Sequence, residues 1–174
     1  MTDETTAATP EPPTTERAVV PWQSFALINR EAVEKGMEEM RTFVKKTLKP
    51  GVHFGKHGAA KKPSLEKPGA EVIFKGFLCR PRFSIISEKV EDGYAYYLVK
   101  CEAVHMALGV VFADGLGASD TNRQAGGGGQ TFAWKCNAAV KMAQKSAMIA
   151  AALTLGCVSE FFTQDMGDEA GGKQ

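Results

Sequence analysis

The sequence predicts an α+β fold: an antiparallel β-meander packed by a long C-terminal helix and an N-terminal helix. Three observations lead there. Residues 29–48 place Val33, Met37, Met40, Val44 and Leu48 at three- and four-residue steps, the period of one helix face. Residues 82–106 instead alternate in part and are broken by the turn signal Glu91-Asp92-Gly93, as a hairpin requires. The third is the stretch from Lys135 onward. It is rich in Ala, Met, Leu and Lys, lacks Pro and reaches Gly156, the composition and stop signal of a long helix.

Each element follows in order. Residues 1–17 combine Thr, Pro, Ala and Glu without periodicity, which predicts a disordered tail. Order is expected to begin near Val19-Val20-Pro21-Trp22. The first helix has glutamates early and Arg41, Lys45, Lys46 and Lys49 late, matching the helix dipole. Lys49-Pro50-Gly51 ends it. Its apolar face is expected to cover a sheet. Residues 50–68 form a basic loop or loose hairpin, and Pro68 to Lys75 a short helix with Pro in its first turn. Strands are predicted over 82–90 and 94–106, with a third beginning at 110–113. On the second strand, Tyr94, Tyr96, Leu98, Lys100, Glu102 and Val104 share one face. Ala95, Tyr97, Val99, Cys101, Ala103 and His105 share the other. In the segment after the third strand begins, Gly115 and Gly117 predict close approach to a strand backbone. A domain spanning 19–165 is thus expected between tails 1–18 and 166–174. The full length of 174 residues suffices for a real core.

The formal charge of +1 hides an asymmetry. Residues 1–17 hold four acids and one Arg, a net −3; residues 165–174 hold three acids and one Lys, a net −2. The remainder is therefore +1 + 3 + 2 = +6. A basic body between acidic ends implies an anionic partner. No run long enough to cross a membrane occurs, and the acidic N-terminus lacks the apolar core of a signal peptide. A cytoplasmic location follows as the expectation. The four cysteines, Cys79, Cys101, Cys136 and Cys157, are widely spaced without a CxxC pair, so reduced thiols are expected.

The long helix is apolar over well over half its circumference. One polar strip remains: Asn137, Lys141 and Lys145 at i, i+4 and i+8, with Gln144 beside them. From periodicity alone these lysines would simply face solvent. Other motifs fail. Gly51 to Lys56 is too short for a phosphate loop, and His57 stands where Ser or Thr is needed. Gly115 and Gly117 lack the third glycine and the parallel βαβ unit of a dinucleotide site. His53 and His57 lie in a Gly-rich loop with no partner at zinc spacing. No constellation for catalysis appears, and no cofactor is implied.

Three stretches resemble phage and prophage proteins of the Rad-fifty-two-like single-strand annealing superfamily. Leu65-Glu66-Lys67-Pro68-Gly69-Ala70-Glu71 is similar to the family's Leu-x-Lys-Pro-Gly-Ala-Glu signature. Asn137 to Ala147 resembles its Asn-x-x-x-Lys-Met-Ala-x-Lys-x-Ala helix, and Phe162-Thr163-Gln164-Asp165 its terminal Phe-Thr-Gln-Asp. Ser146 stands where the family often has a further basic residue, and Gly126 to Gly129 looks like a local insertion. The resemblance spans about 30–166 and implies ATP-independent binding of single-stranded DNA. It further implies annealing of complementary strands in recombination and repair, and assembly into a ring or helical filament. A phage exonuclease or a host single-strand binding protein would be a partner.

On that expectation, the phosphate-binding candidates are Lys141 and Lys145 with Asn137 and Gln144 on the helix strip. Lys56, Lys61 and Lys62 follow on the loop, and Arg80, Arg82 and Arg123 near the sheet. Phe54, Tyr94 and Tyr96 would stack on bases; for the two tyrosines a core position is an equal alternative. Lys67 and Glu71 read as steadying the short helix. Two other functions remain open: an accessory interaction protein of the same fold, and a metal-dependent nuclease using His53, His57 and nearby acids.

Overall fold

Eight elements follow one another in the computed structural model, which describes residues 30–56, 61–122 and 130–163. They are α1 (Arg30–Thr47), β1 (Phe54–Gly55), β2 (Ser64–Leu65), α2 (Lys67–Gly76), β3 (Cys79–Glu91), β4 (Tyr94–His105), β5 (Val111–Asp120) and α3 (Phe132–Gly156). The expected tails lie outside the described residues. No helix among those described is long and apolar enough to cross a membrane. The fold is α+β, with a C-terminal helix packed on an antiparallel sheet.

The meander forms as its alternation predicts. β3, β4 and β5 pair antiparallel in that order. Gly93 takes φ 75° in the turn between β3 and β4, a conformation that glycine adopts without steric cost. Ala95, Tyr97, Val99, Cys101 and Ala103 are buried on one face of β4, the row the alternation assigned together. Burial pushes the Cys101 thiol up to about 12. β5 is longer than the sequence predicts and runs through Gly115 and Gly117 to Asp120.

Those two glycines decide how the layers meet. Gly115 pairs with Cys101, and Gly117 with Val99. A Cβ at Gly115 would strike the backbone of Ala151, and one at Gly117 the backbone of Ala147 and Ala143. The predicted close approach is therefore made by α3 itself. Ala139, Ala143, Ala147 and Ala151 are fully buried in that contact. Small residues on both sides bring helix and strand backbones together, and dispersion rises steeply as the gap closes.

Thr131 caps α3, its Oγ1 accepting the Trp134 N–H at 3.3 Å. At the other end Cys157, not Gly156, takes the left-handed conformation, at φ 50°. Val158 N–H then returns to Leu153 O at 3.1 Å, closing the helix. Gly156 ends the helix where expected, packed near Ile73 of α2.

α2 lies on the C-terminal half of α3, burying Ala70, Ile73 and Phe74. Its first turn is tightly built. Pro68 sits in it, and a side chain at Gly69 would collide with the His53 carbonyl. Lys67 pairs with Glu71 at 3.4 Å, the steadying role expected of them. The loose hairpin of residues 50–68 becomes a short antiparallel pair, Phe54 opposite Leu65. Phe162 stacks on Phe54 at 5.3 Å, and Thr163 N–H bonds Pro63 O at 3.0 Å.

α1 differs from expectation in its partner. Only its final turns pack, through buried Val44 and, just past the helix end, Leu48, with Phe43 near Gly76 of α2. Val33 and Met37 on the same seam stay exposed. The reason is occupancy: α3 already holds the inner face of the sheet over β4 and β5. Arg41 fixes the helix instead to Glu160, Nε to Oε1 at 3.1 Å.

Substituting Gly117→Ala should destabilise the protein by about 1–3 kcal/mol, the usual range for overpacking. Urea unfolding followed by circular dichroism measures it; an unchanged midpoint would disprove the close approach.

Candidate functional site

The candidate residues fall into three separate groups. The first is the outer strip of α3. Ala139, Ala143 and Ala147 face the sheet, so Asn137, Lys141 and Lys145 point away from it. Successive members of the strip are about 6 Å apart along the axis. Asn137 and Lys141 are exposed, while Gln144 and Lys145 are half-buried. Residues 132–145 contain Lys135, Lys141 and Lys145 and no acid, so this half of the helix is uniformly positive.

The two strip lysines differ in their neighbours. Lys145 Nζ lies 3.0 Å from Glu66 Oε2, in the residue that leads into α2. Lys141 has no ion-pair partner among the described residues. Lys145 thus joins α3 to the loop before α2, while Lys141 presents its charge to solvent one turn away. Nothing local in the sequence reveals the Lys145–Glu66 pair, because its members are 79 residues apart.

The second group is the hairpin. Lys56, Lys61 and Lys62 are all exposed. Lys62 Nζ donates to Ser159 O at 3.1 Å, which fixes it beyond the C-terminal end of α3. Lys141 lies about four turns up the helix, roughly 22 Å from that end. The fold therefore sets Lys62 apart from Lys141 rather than beside it. Phe54 is engaged with Phe162, and so serves packing.

The third group lies on the opposite side of the sheet. Arg80 is opposite Val104 and Arg82 opposite Glu102, in the row that faces away from α3. Arg82 Nε donates to Glu102 Oε2 at 2.8 Å. Lys100 Nζ lies 3.1 Å from Glu102 Oε1 and 3.0 Å from Asp114 Oδ2. This ladder crosses all three strands. The face carries Arg80, Arg82, Lys89 and Lys100 against Glu91, Glu102, Asp114 and Asp120, four charges of each sign and a net of zero. Arg82 is thus neutralised within the fold. Tyr94 and Tyr96 are half-buried on this same outer face and stand outside the core; Tyr97 is the core tyrosine. Arg123 lies outside the described residues.

The histidines of the basic loop have structural surroundings where they are described. His53 Nδ1 accepts the Lys49 N–H at 2.8 Å, and its carbonyl accepts the Glu66 N–H at 2.9 Å. His57 lies outside the described residues. Among those described, no three His, Cys, Asp or Glu side chains gather as a metal site.

The arrangement offers one uniformly basic helix face, a separate basic hairpin and a charge-balanced sheet face. Compared with known proteins, the chain matches no family model and no curated protein.

The sheet ladder has a pH signature. Hydrogen bonds from Arg82 first, and then from Lys100, hold the Glu102 carboxyl below its ordinary range. A lowered folded value means that its stabilisation is full above the unfolded value, about 4.3 for glutamate. It is lost as the pH falls through the folded value. Glu102→Gln should therefore flatten the acid limb of the stability profile, measured by urea midpoints between neutral and acid pH. An identical acid limb in the variant would show that the ladder contributes nothing.

Proposed function

We propose that this protein binds single-stranded DNA along the outer strip of α3 and anneals complementary strands without ATP. The observation that carries the reading is the charge on α3. Residues 132–145 have three lysines and no carboxylate, and Lys141 is exposed without an ion-pair partner among the described residues. That is the footprint of a phosphate-binding face. The Asn137–Ala147 stretch, one of the three that resemble annealing proteins, coincides with this face.

Lysine–phosphate contacts are indifferent to sequence and weaken with salt. They hold the strand by its backbone and leave base edges free to pair with a second strand. Asn137 and Gln144 add hydrogen bonds that fix the strand's position without reading its bases. Lys62 offers a second foothold at the far end of the helix, and the exposed Lys56 and Lys61 of the same hairpin add to it. Base pairing itself supplies the free energy of annealing, so the reading needs neither a nucleotide nor a catalytic group. It places the protein in recombination and repair in the cytoplasm of a phage-infected or prophage-bearing cell. There it would work as an oligomer beside an exonuclease or a single-strand binding protein.

Annealing of complementary oligonucleotides without ATP tests this, with binding measured across a salt series. The wild type should accelerate annealing. Lys141→Ala should weaken binding of every sequence alike and lower the slope of log affinity against log salt by about 0.7, one phosphate contact to a single strand. Unchanged affinity and slope would favour the accessory-protein reading. Strand cutting that EDTA abolishes would favour the nuclease.

A further inference from the structure

A bare apolar row and an exposed helix flank lie in one layer of the molecule, at opposite edges of the sheet. At the β3 edge, the register sets Phe83 opposite Cys101, Ile85 opposite Val99, Glu88 opposite Tyr97 and Val90 opposite Ala95. Those four β4 residues are buried on the α3 side, so their β3 partners face that side too. Yet Phe83, Ile85 and Val90 are 38%, 51% and 56% exposed, because α3 lies over β5 and β4 and leaves β3 bare.

At the β5 edge, α3 overhangs. Gly117 meets Ser146 Cβ, and Gly115 meets Ala150 Cβ, while Tyr97 of β4 lies beside Cys136. The helix flank beyond β5 is therefore the stripe of Lys135, Met142 and Ser146, at i, i+7 and i+11. Met142 is 41% exposed.

The two edges match level by level. Tyr97 pairs with Glu88 and touches Cys136, so Lys135 stands at the height of Glu88. Val99 pairs with both Ile85 and Gly117, and Gly117 rests against Ala143 and Ser146. Met142 thus stands at the height of Ile85. Neither Lys135 nor Glu88 has an ion-pair partner among the described residues.

We propose that a second copy of this chain docks edge to edge, its α3 flank and β5 edge against the β3 edge of the first. Met142 covers Ile85 and Phe83, and Lys135 meets Glu88. β3 and β5 run in the same direction, so a shift across the sheet, with the rotation that strand twist adds at each step, makes the contact. It also occupies a long edge strand that would otherwise invite unspecific pairing. Because the two patches are different surfaces, the contact repeats head to tail and closes as a ring or extends as a filament. The outer strip with Lys141 remains clear. The proposal rests on the self-assembly in the reading above and assigns it an interface.

The full chain is tested by light scattering and sedimentation over a concentration series without DNA. The wild-type mass should rise with concentration. Glu88→Lys and Lys135→Glu should each weaken assembly about threefold, as one exchanged ion pair does. The double variant should recover it, and Met142→Asp should weaken it further. All three positions are at least partly exposed, and circular dichroism verifies folding. A monomer at every concentration, a closed dimer, unaffected single variants or a double variant no better than the singles would each overturn the interface. Strand binding on the same samples keeps the two failures apart. Binding without a rising mass overturns the interface alone; a rising mass without binding overturns the DNA reading alone.

Discussion

The backbone of α3 lies directly against the backbone of β5, and the rest of the structure depends on that approach. Gly115 and Gly117 remove the side chains that would hold the layers apart, and the fully buried alanines of α3 do the same from the other side. The contact sets the helix over β5 and β4 and leaves β3 outside its cover. Three consequences follow. The inner row of β3 is left uncovered, the helix overhangs the β5 edge, and the polar strip of α3 is turned outward. α1, finding the inner face taken, packs on α2 with only its last turns.

Charge is arranged with the same economy. On the outer sheet face, Arg82, Glu102, Lys100 and Asp114 neutralise one another across three strands. Exposed pairs of this kind contribute little stability singly, though a connected network holds its geometry better. Their larger effect is to cancel the field on that side. The first half of α3 contains no acid, and of its three lysines Lys145 is paired, with Glu66 from outside the helix, while Lys135 and Lys141 have no ion-pair partner among the described residues. Lys145 touches both roles, anchoring the loop before α2 through Glu66 while standing in line with Lys141.

The stretch from Leu65 to Glu71, which carries part of the family resemblance, is explained here by packing. Leu65 is buried beside Gly69, Gly69 admits the His53 carbonyl, and Ala70 is fully buried. Glu66 reaches Lys145, and Lys67 pairs with Glu71. Together these contacts hold the seat of α2 on α3. The helix strip is different: Asn137 and Lys141 are exposed and stand on the side of α3 turned away from the sheet.

Local periodicity made most elements legible. The three- and four-residue seam of α1, the alternation of β4 and the turn at Gly93 are interactions between near neighbours, and each lies close to where the sequence places it. The facing of β4 was also legible, since side chains in a strand must alternate. The length of β5 was not, because Gly115 and Gly117 disfavour a strand until α3 is there to fill the space. The partner of α1, the pairing of Lys145 with Glu66 and the neutralisation of Arg82 were likewise invisible. The sequence by itself determined which segments are helix or strand and that the long helix keeps one basic strip. Only the tertiary structure decided which of those charges stay unpaired and which apolar rows stay bare. Periodicity reports on residues a few positions apart, whereas burial and ion pairing join residues that the chain brings together only on folding.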